Sequence, residues 1–139
     1  MSRLVLPHNR PDLARLAGWL DEQERALAMP DRVAYAVRLC LEEAVGNLIR
    51  HVPAQSGIVV DLEWQGDVMV AAIEDHGPPF DPRTAPVPAR PASLEDALPG
   101  GLGIMLMRSF ASGIDYDTAA GRNRLTFRFD RRVATEPVS

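Results

Sequence analysis

The spacing of hydrophobic positions along this chain alternates between a helical period and a strand period. Leu13, Leu16, Ala17, Leu20, Ala26 and Leu27 recur three and four apart, which predicts a first amphipathic helix from Pro11 onward. Pro30 suits the first turn of a second helix. Val33, Ala36, Val37, Cys40, Leu41, Ala44, Val45, Leu48, Ile49 and Val52 give that helix a broad apolar face until Pro53 stops it. Ahead of both, Arg3 to Leu6 reads as a short strand. Beyond them, Gly57 to Trp64 and Asp67 to Glu74 are rich in valine and isoleucine and predict a hairpin with Gln65 and Gly66 in its turn.

Seven of the twelve prolines then fall between Pro78 and Pro99, so no regular element can fill that stretch. Its length suits a lid, from about residue 78 to 100, better than a plain connection. Ser93 and Asp96 are spaced as a capping box, so Leu94 to Leu98 could form a turn or two of helix. Gly100-Gly101-Leu102-Gly103 opens a third helix running through Met107 to about Ser112. Two strands follow, Ile114 to Thr118 and Leu125 to Phe129, around a turn at Gly121, and the tail from about 132 to 139 reads as frayed. Helices beside runs of neighbouring strands, without repeated strand-helix-strand units, predict an α+β fold. In it, about three helices lie on a mixed, mostly antiparallel sheet, in one domain spanning residues 1–139.

Composition narrows the classes. With 139 residues and 46% apolar content the chain can bury one real core. A lone cysteine, Cys40, excludes an internal disulfide, and no apolar run approaches the length of a membrane span, so a cytoplasmic protein is expected. A formal net charge of −4 without a basic block argues against nucleic acid as the main partner, and leaves room for a small nucleotide.

Three short constellations carry candidate chemistry. Glu43 and Asn47 lie four apart on the second helix, about 6 Å along its axis, and with Arg50 form a polar stripe that can overlook a cleft. An amide oxygen can fill one position around magnesium, and a carboxylate one turn away can take a proton from an attacking hydroxyl. The same pair would also suit a solvated helix face. Asp75 ends a strand and precedes His76 and Gly77. A carboxylate there can accept the exocyclic amine of adenine, whereas guanine offers a carbonyl that repels it, and Gly77 lets the backbone come close to the base. An ordinary Asp-x-Gly turn is the plainer alternative. The glycines at 100, 101 and 103 leave free amides facing an anion at a helix N-terminus, or serve only as flexible joints.

Taken in order, these residues resemble a known family. Glu43 to Asn47, with His51 four further on, is similar to the Glu-x-x-x-Asn box of the ATPase superfamily of gyrase, the ninety-kilodalton heat-shock chaperone, mismatch-repair proteins and histidine kinases. The run from Asp75 to Pro82 resembles its Asp-x-Gly box, and Gly101-Leu102-Gly103-Ile104 its second glycine box. The Pro-Phe-Asp-Pro ending, the run on to Arg108, and Asn123-Arg124-Leu125-Thr126 resemble the small stand-alone anti-sigma-factor serine/threonine kinases of bacteria.

That resemblance implies ATP held beneath a lid, magnesium bridged by Asn47, and Glu43 as catalytic base. It also implies nucleotide contacts at Asp75, Gly77, Gly101, Leu102, Gly103 and Ile104, with Thr126 touching adenine through its hydroxyl or a water. The implied reaction moves the γ-phosphate to a serine or threonine of an anti-anti-sigma antagonist protein. The implied switch exchanges that antagonist for a sigma factor, in a homodimer and away from membranes. Pro78 and Pro79 depart from the glycine-richer pattern of many relatives, and Arg50 stands where apolar residues are frequent. His51 reads as a cation at a helix C-terminus, and Arg108 and Arg124 as surface-pairing residues that could instead reach phosphates. An ATP-gated module that sequesters a partner without phosphoryl transfer is the main rival. A detached histidine-kinase domain would lack its phospho-accepting helix, and a gyrase-like ATPase its transducer.

Overall fold

A computed structural model describes residues 1–6, 13–51, 57–79 and 101–132, without the side chains of 50, 51 and 101–104. The elements run β1 (Ser2–Leu6), α1 (Leu13–Ala26), α2 (Asp31–His51), β2 (Ile58–Gln65), β3 (Val68–Asp75), α3 (Gly101–Phe110), β4 (Gly113–Ala119) and β5 (Arg122–Asp130). The expected proline-rich lid and its short helical turn, and the tail beyond 132, lie almost wholly outside the described residues.

The five strands form one sheet in the order β1-β2-β3-β5-β4. Every pair is antiparallel, so the sheet expected to be mixed but mostly antiparallel is antiparallel throughout the described residues. The valine-rich segments pair as the expected hairpin, but its turn sits one residue later. Gly66 adopts φ 63 and Asp67 follows it, which is the two-residue loop in which glycine takes the first central position. Ala120 and Gly121 close the β4–β5 hairpin with φ 54 and 76, so both central residues are left-handed, as a tight turn matching the strand twist requires.

Strand alternation decides which side chains meet the helices. On β3, Met69, Ala71, Ile73 and Asp75 share one face, and their partners across the register on β5 are Phe129, Phe127, Leu125 and Asn123. The apolar members of these rows pack with Leu16 and Leu20 of α1, Val37, Leu41 and Val45 of α2, and Met107 of α3 in a single core. The other face of the sheet is charged. Arg3 and Arg124 flank the buried Asp61, Arg3 Nε donating at 2.7 Å and Arg124 lying 3.8 Å away, and Arg124 also pairs with Glu74 at 3.4 Å.

The end of α1 is closed by a left-handed cap. Ala28 has φ 49, its N–H donates to Arg25, and the N–H of Met29 reaches back to the carbonyl of Glu24 at 3.0 Å. The indole N–H of Trp64 donates to the carbonyl of Leu27 at 2.7 Å, which ties this cap to β2. A left-handed alanine costs roughly 1–2 kcal/mol, and glycine removes that cost at the expense of some unfolded-state entropy. Ala28→Gly is therefore expected to raise stability by about 0.5–1 kcal/mol, read as an upward shift of a few degrees in thermal midpoint.

Candidate active site

Between the helical layer and the sheet lies a pocket of about 370 Å³ including its mouth, lined by Ala44, Asn47, Leu48, Ile73, Asp75, Met107, Tyr116 and Leu125. Five elements contribute to it. The walls are mostly aliphatic with one phenol ring, and two polar side chains, Asn47 and Asp75, enter from opposite layers. An apolar slot with few convergent polar groups suits a flat heteroaromatic ring whose edge carries a donor.

Asn47 is buried at 8% exposure, and Ala44 and Leu48 share the pocket wall with it. The wall thus draws on both the polar and the apolar stripes of α2, not on the polar stripe alone. Glu43 is half-buried one turn earlier and is not among the lining residues. The side chains of Arg50 and His51 lie outside the described residues.

Asp75, at 6% exposure, is held by two donors on the same oxygen. Its Oδ1 accepts from the backbone N–H of Gly77 at 2.8 Å and from the side-chain amide of Asn123 at 3.0 Å. The first bond is an Asx turn, the local reason the chain bends directly after β3. Asn123 also donates to the carbonyl of Gly77 at 2.8 Å. These bonds leave Oδ2 as the oxygen that a ligand amine can address.

Asn123 was not among the residues expected in the site. The only sequence signal for it is its place in the Asn123-Arg124-Leu125-Thr126 run, whereas its partnership with Asp75 comes from the β3–β5 register. That register also overturns one expectation. Leu125 lines the pocket, and strand alternation turns its neighbour Thr126 to the opposite face of the sheet, paired with Ala72 and Asp115. Thr126 cannot touch a base bound in this pocket.

Gly101 begins α3, so Gly101, Leu102, Gly103 and Ile104 form the helix's first turn, and Gly100 lies outside the described residues. The apolar run through Met107 carries the helix onward. First-turn amides have no intrahelical acceptors, so the anion-binding capacity is retained. Arg124 is engaged with Glu74 and Asp61 on the far face of the sheet, in keeping with a pairing role. Arg108 has interactions within the chain. His76 is exposed beside the pocket and borders a second, wider groove with Arg122 and the β4–β5 turn.

The histidine kinase-like ATPase domain family matches residues 7–129, nearly the whole chain. The chain belongs to this family, as its motifs suggested. It is 32% identical over 111 residues to the serine/threonine-protein kinase BtrW of Bordetella bronchiseptica, covering 78% of both chains. Among solved structures, the histidine kinase AdeS of Acinetobacter baumannii aligns with a TM-score of 0.49 at 13% identity, over 95% of this chain and 68% of that one. A blue-light-activated histidine kinase of Erythrobacter litoralis aligns at 0.46 and 16% identity, over 73% of this chain and 46% of its own. Both likenesses are loose and carry no weight for function. ATP use follows from the family, and the kinase relative supports a kinase-type or ATPase activity.

Cys40 is buried in the core, its Sγ facing the carbonyl of Met107 at 4.0 Å. Burial, and then the nearby charge of Glu43, push its thiol up to about 12. The folded protein therefore keeps the thiol neutral at pH 8, and Cys40 should resist alkylation until denaturant is added. Above about pH 9 the unfolded chain releases this proton while the native state holds it, so native stability should fall with rising pH there, as urea titrations at pH 8 and pH 10 would read out.

Proposed function

We propose that this protein is an ATP-dependent serine/threonine kinase of the anti-sigma type, which phosphorylates an anti-anti-sigma antagonist and otherwise holds a sigma factor. The observation that carries the nucleotide part is Asp75, with Oδ1 saturated by donors and Oδ2 left to read an exocyclic amine above an apolar floor. The 32% identity to a serine/threonine-protein kinase supports the transfer chemistry.

In this reading adenine lies between Leu48 and Met107 on one side and Ile73 and Leu125 on the other, with its amine on Asp75. The phosphates run toward Asn47 and the first turn of α3. The residues fit magnesium, which takes one or two protein oxygens and completes its shell with phosphate and water. Asn47 would supply that oxygen, and the ion's charge, when bound, offsets charge on the transferring group. Glu43, one helical turn from Asn47, accepts the proton of the attacking serine or threonine hydroxyl. Phosphate placed on the antagonist then breaks its complex by charge repulsion and desolvation. We place the protein in the cytoplasm as a homodimer, independent of nucleic acid and membrane. Among the described residues no helix is long and apolar enough to cross one.

Glu43 stands outside the pocket's walls, and this favours one second reading: an ATP-gated module that sequesters its partner without phosphoryl transfer. Calorimetry and a transfer assay separate the two. Asp75→Asn should weaken ATP binding about 10- to 100-fold, because a hydrogen bond to a charged group is lost, while GTP binds weakly to both proteins. Glu43→Gln should keep ATP and lower kcat for transfer by about 10²–10⁴-fold. Transfer undiminished in Glu43→Gln would remove that residue as the base, and sequestration without any transfer by the wild type would favour the gated module.

A further inference from the structure

We infer that Asn123 is a positioning residue for the nucleotide, holding Asp75 in the one orientation that reads an adenine-type base. The inference rests on the nucleotide reading above. Its warrant is a closed set of bonds. Asn123 is 4% exposed and sits across the β3–β5 register from Asp75. Its Nδ2 lies 3.0 Å from Asp75 Oδ1 and 2.8 Å from the carbonyl of Gly77.

Both of those partners are acceptors, so only the NH₂ end of the amide can face them, and its two hydrogens are both used. Asp75 Oδ1 meanwhile takes a second donor from the Gly77 N–H at 2.8 Å. The three groups thus close a ring in which Asn123 pins the carboxylate and the turn after it at once. Rotation of the carboxylate about its Cβ–Cγ bond would break two hydrogen bonds together. One oxygen is fixed as the structural acceptor, and the other is presented to the ligand.

This explains why a full amide sits where a hydroxyl or an apolar residue would satisfy the strand. A single O–H could reach one acceptor at a time, leaving either the Gly77 carbonyl without this donor or Asp75 Oδ1 with the Gly77 N–H alone. Asn123 lines the wider groove beside the pocket and not the pocket itself, so its effect on a base bound in the pocket passes through Asp75 and Gly77.

The test is titration of ADP into wild type, Asn123→Ala and Asn123→Asp between pH 5.5 and 8, with affinities expressed relative to wild type at each pH. Asn123→Ala should bind about tenfold more weakly at every pH. Asn123→Asp places a second carboxylate against Asp75, so at pH 8 it should bind at least as poorly. As the pH falls one proton is shared by the pair, an O–H donor returns to Asp75 Oδ1, and affinity should recover severalfold toward wild type. A merely structural role gives no such recovery. Should Asn123→Ala fail to fold, the pH profile of Asn123→Asp decides alone. Wild-type affinity in Asn123→Ala, or a flat relative profile in Asn123→Asp, overturns the inference and leaves the nucleotide reading standing. Absence of ADP and ATP binding by wild type overturns both.

Discussion

A carboxylate buried in an aliphatic pocket survives only if donors replace the water it has lost, and Asp75 meets that requirement through one oxygen. The Gly77 amide and the Asn123 side chain both address Oδ1, which joins the end of β3, the turn beyond it and the start of β5. The rest of the site is arranged around that joint. The core rows of β3 and β5 bring Ile73 and Leu125 side by side beneath the pocket, and α2 closes it with Ala44, Asn47 and Leu48. Without the joint, the polar end of the slot would be an unpaired charge in the layer that α2 needs apolar.

Much of this was legible in the sequence where the signal is local. The period of α2, the valine-rich hairpin and the strand-ending Asp75 all follow from residue spacing and turn chemistry. Asn47 and Asp75, taken separately as weak motifs, converge on one pocket. Long-range register was not legible. Asn123 lies 48 residues from Asp75, and nothing in the spacing says that these two will be cross-strand partners. The same register turns Thr126 away, because strand alternation allows either Leu125 or Thr126, and not both, to face the helices.

The two faces of the sheet serve different ends. One face supplies the core and the pocket. The other holds Asp61 buried under Arg3 and Arg124, with Glu74 and Arg122 beside them, so Arg124 pairs on the face away from the pocket. Membership of the histidine kinase-like ATPase family fits a pocket on the helical face of the sheet.

In the proposed function, Asp75 Oδ2 selects a purine by its exocyclic amine. Comparing the affinities of ATP and ITP by calorimetry tests it most directly, since ITP presents a carbonyl in place of that amine and is otherwise matched. ATP should bind at least about tenfold more tightly, and Asp75→Asn should erase the difference. Equal affinity for ATP and ITP in the wild type would contradict it.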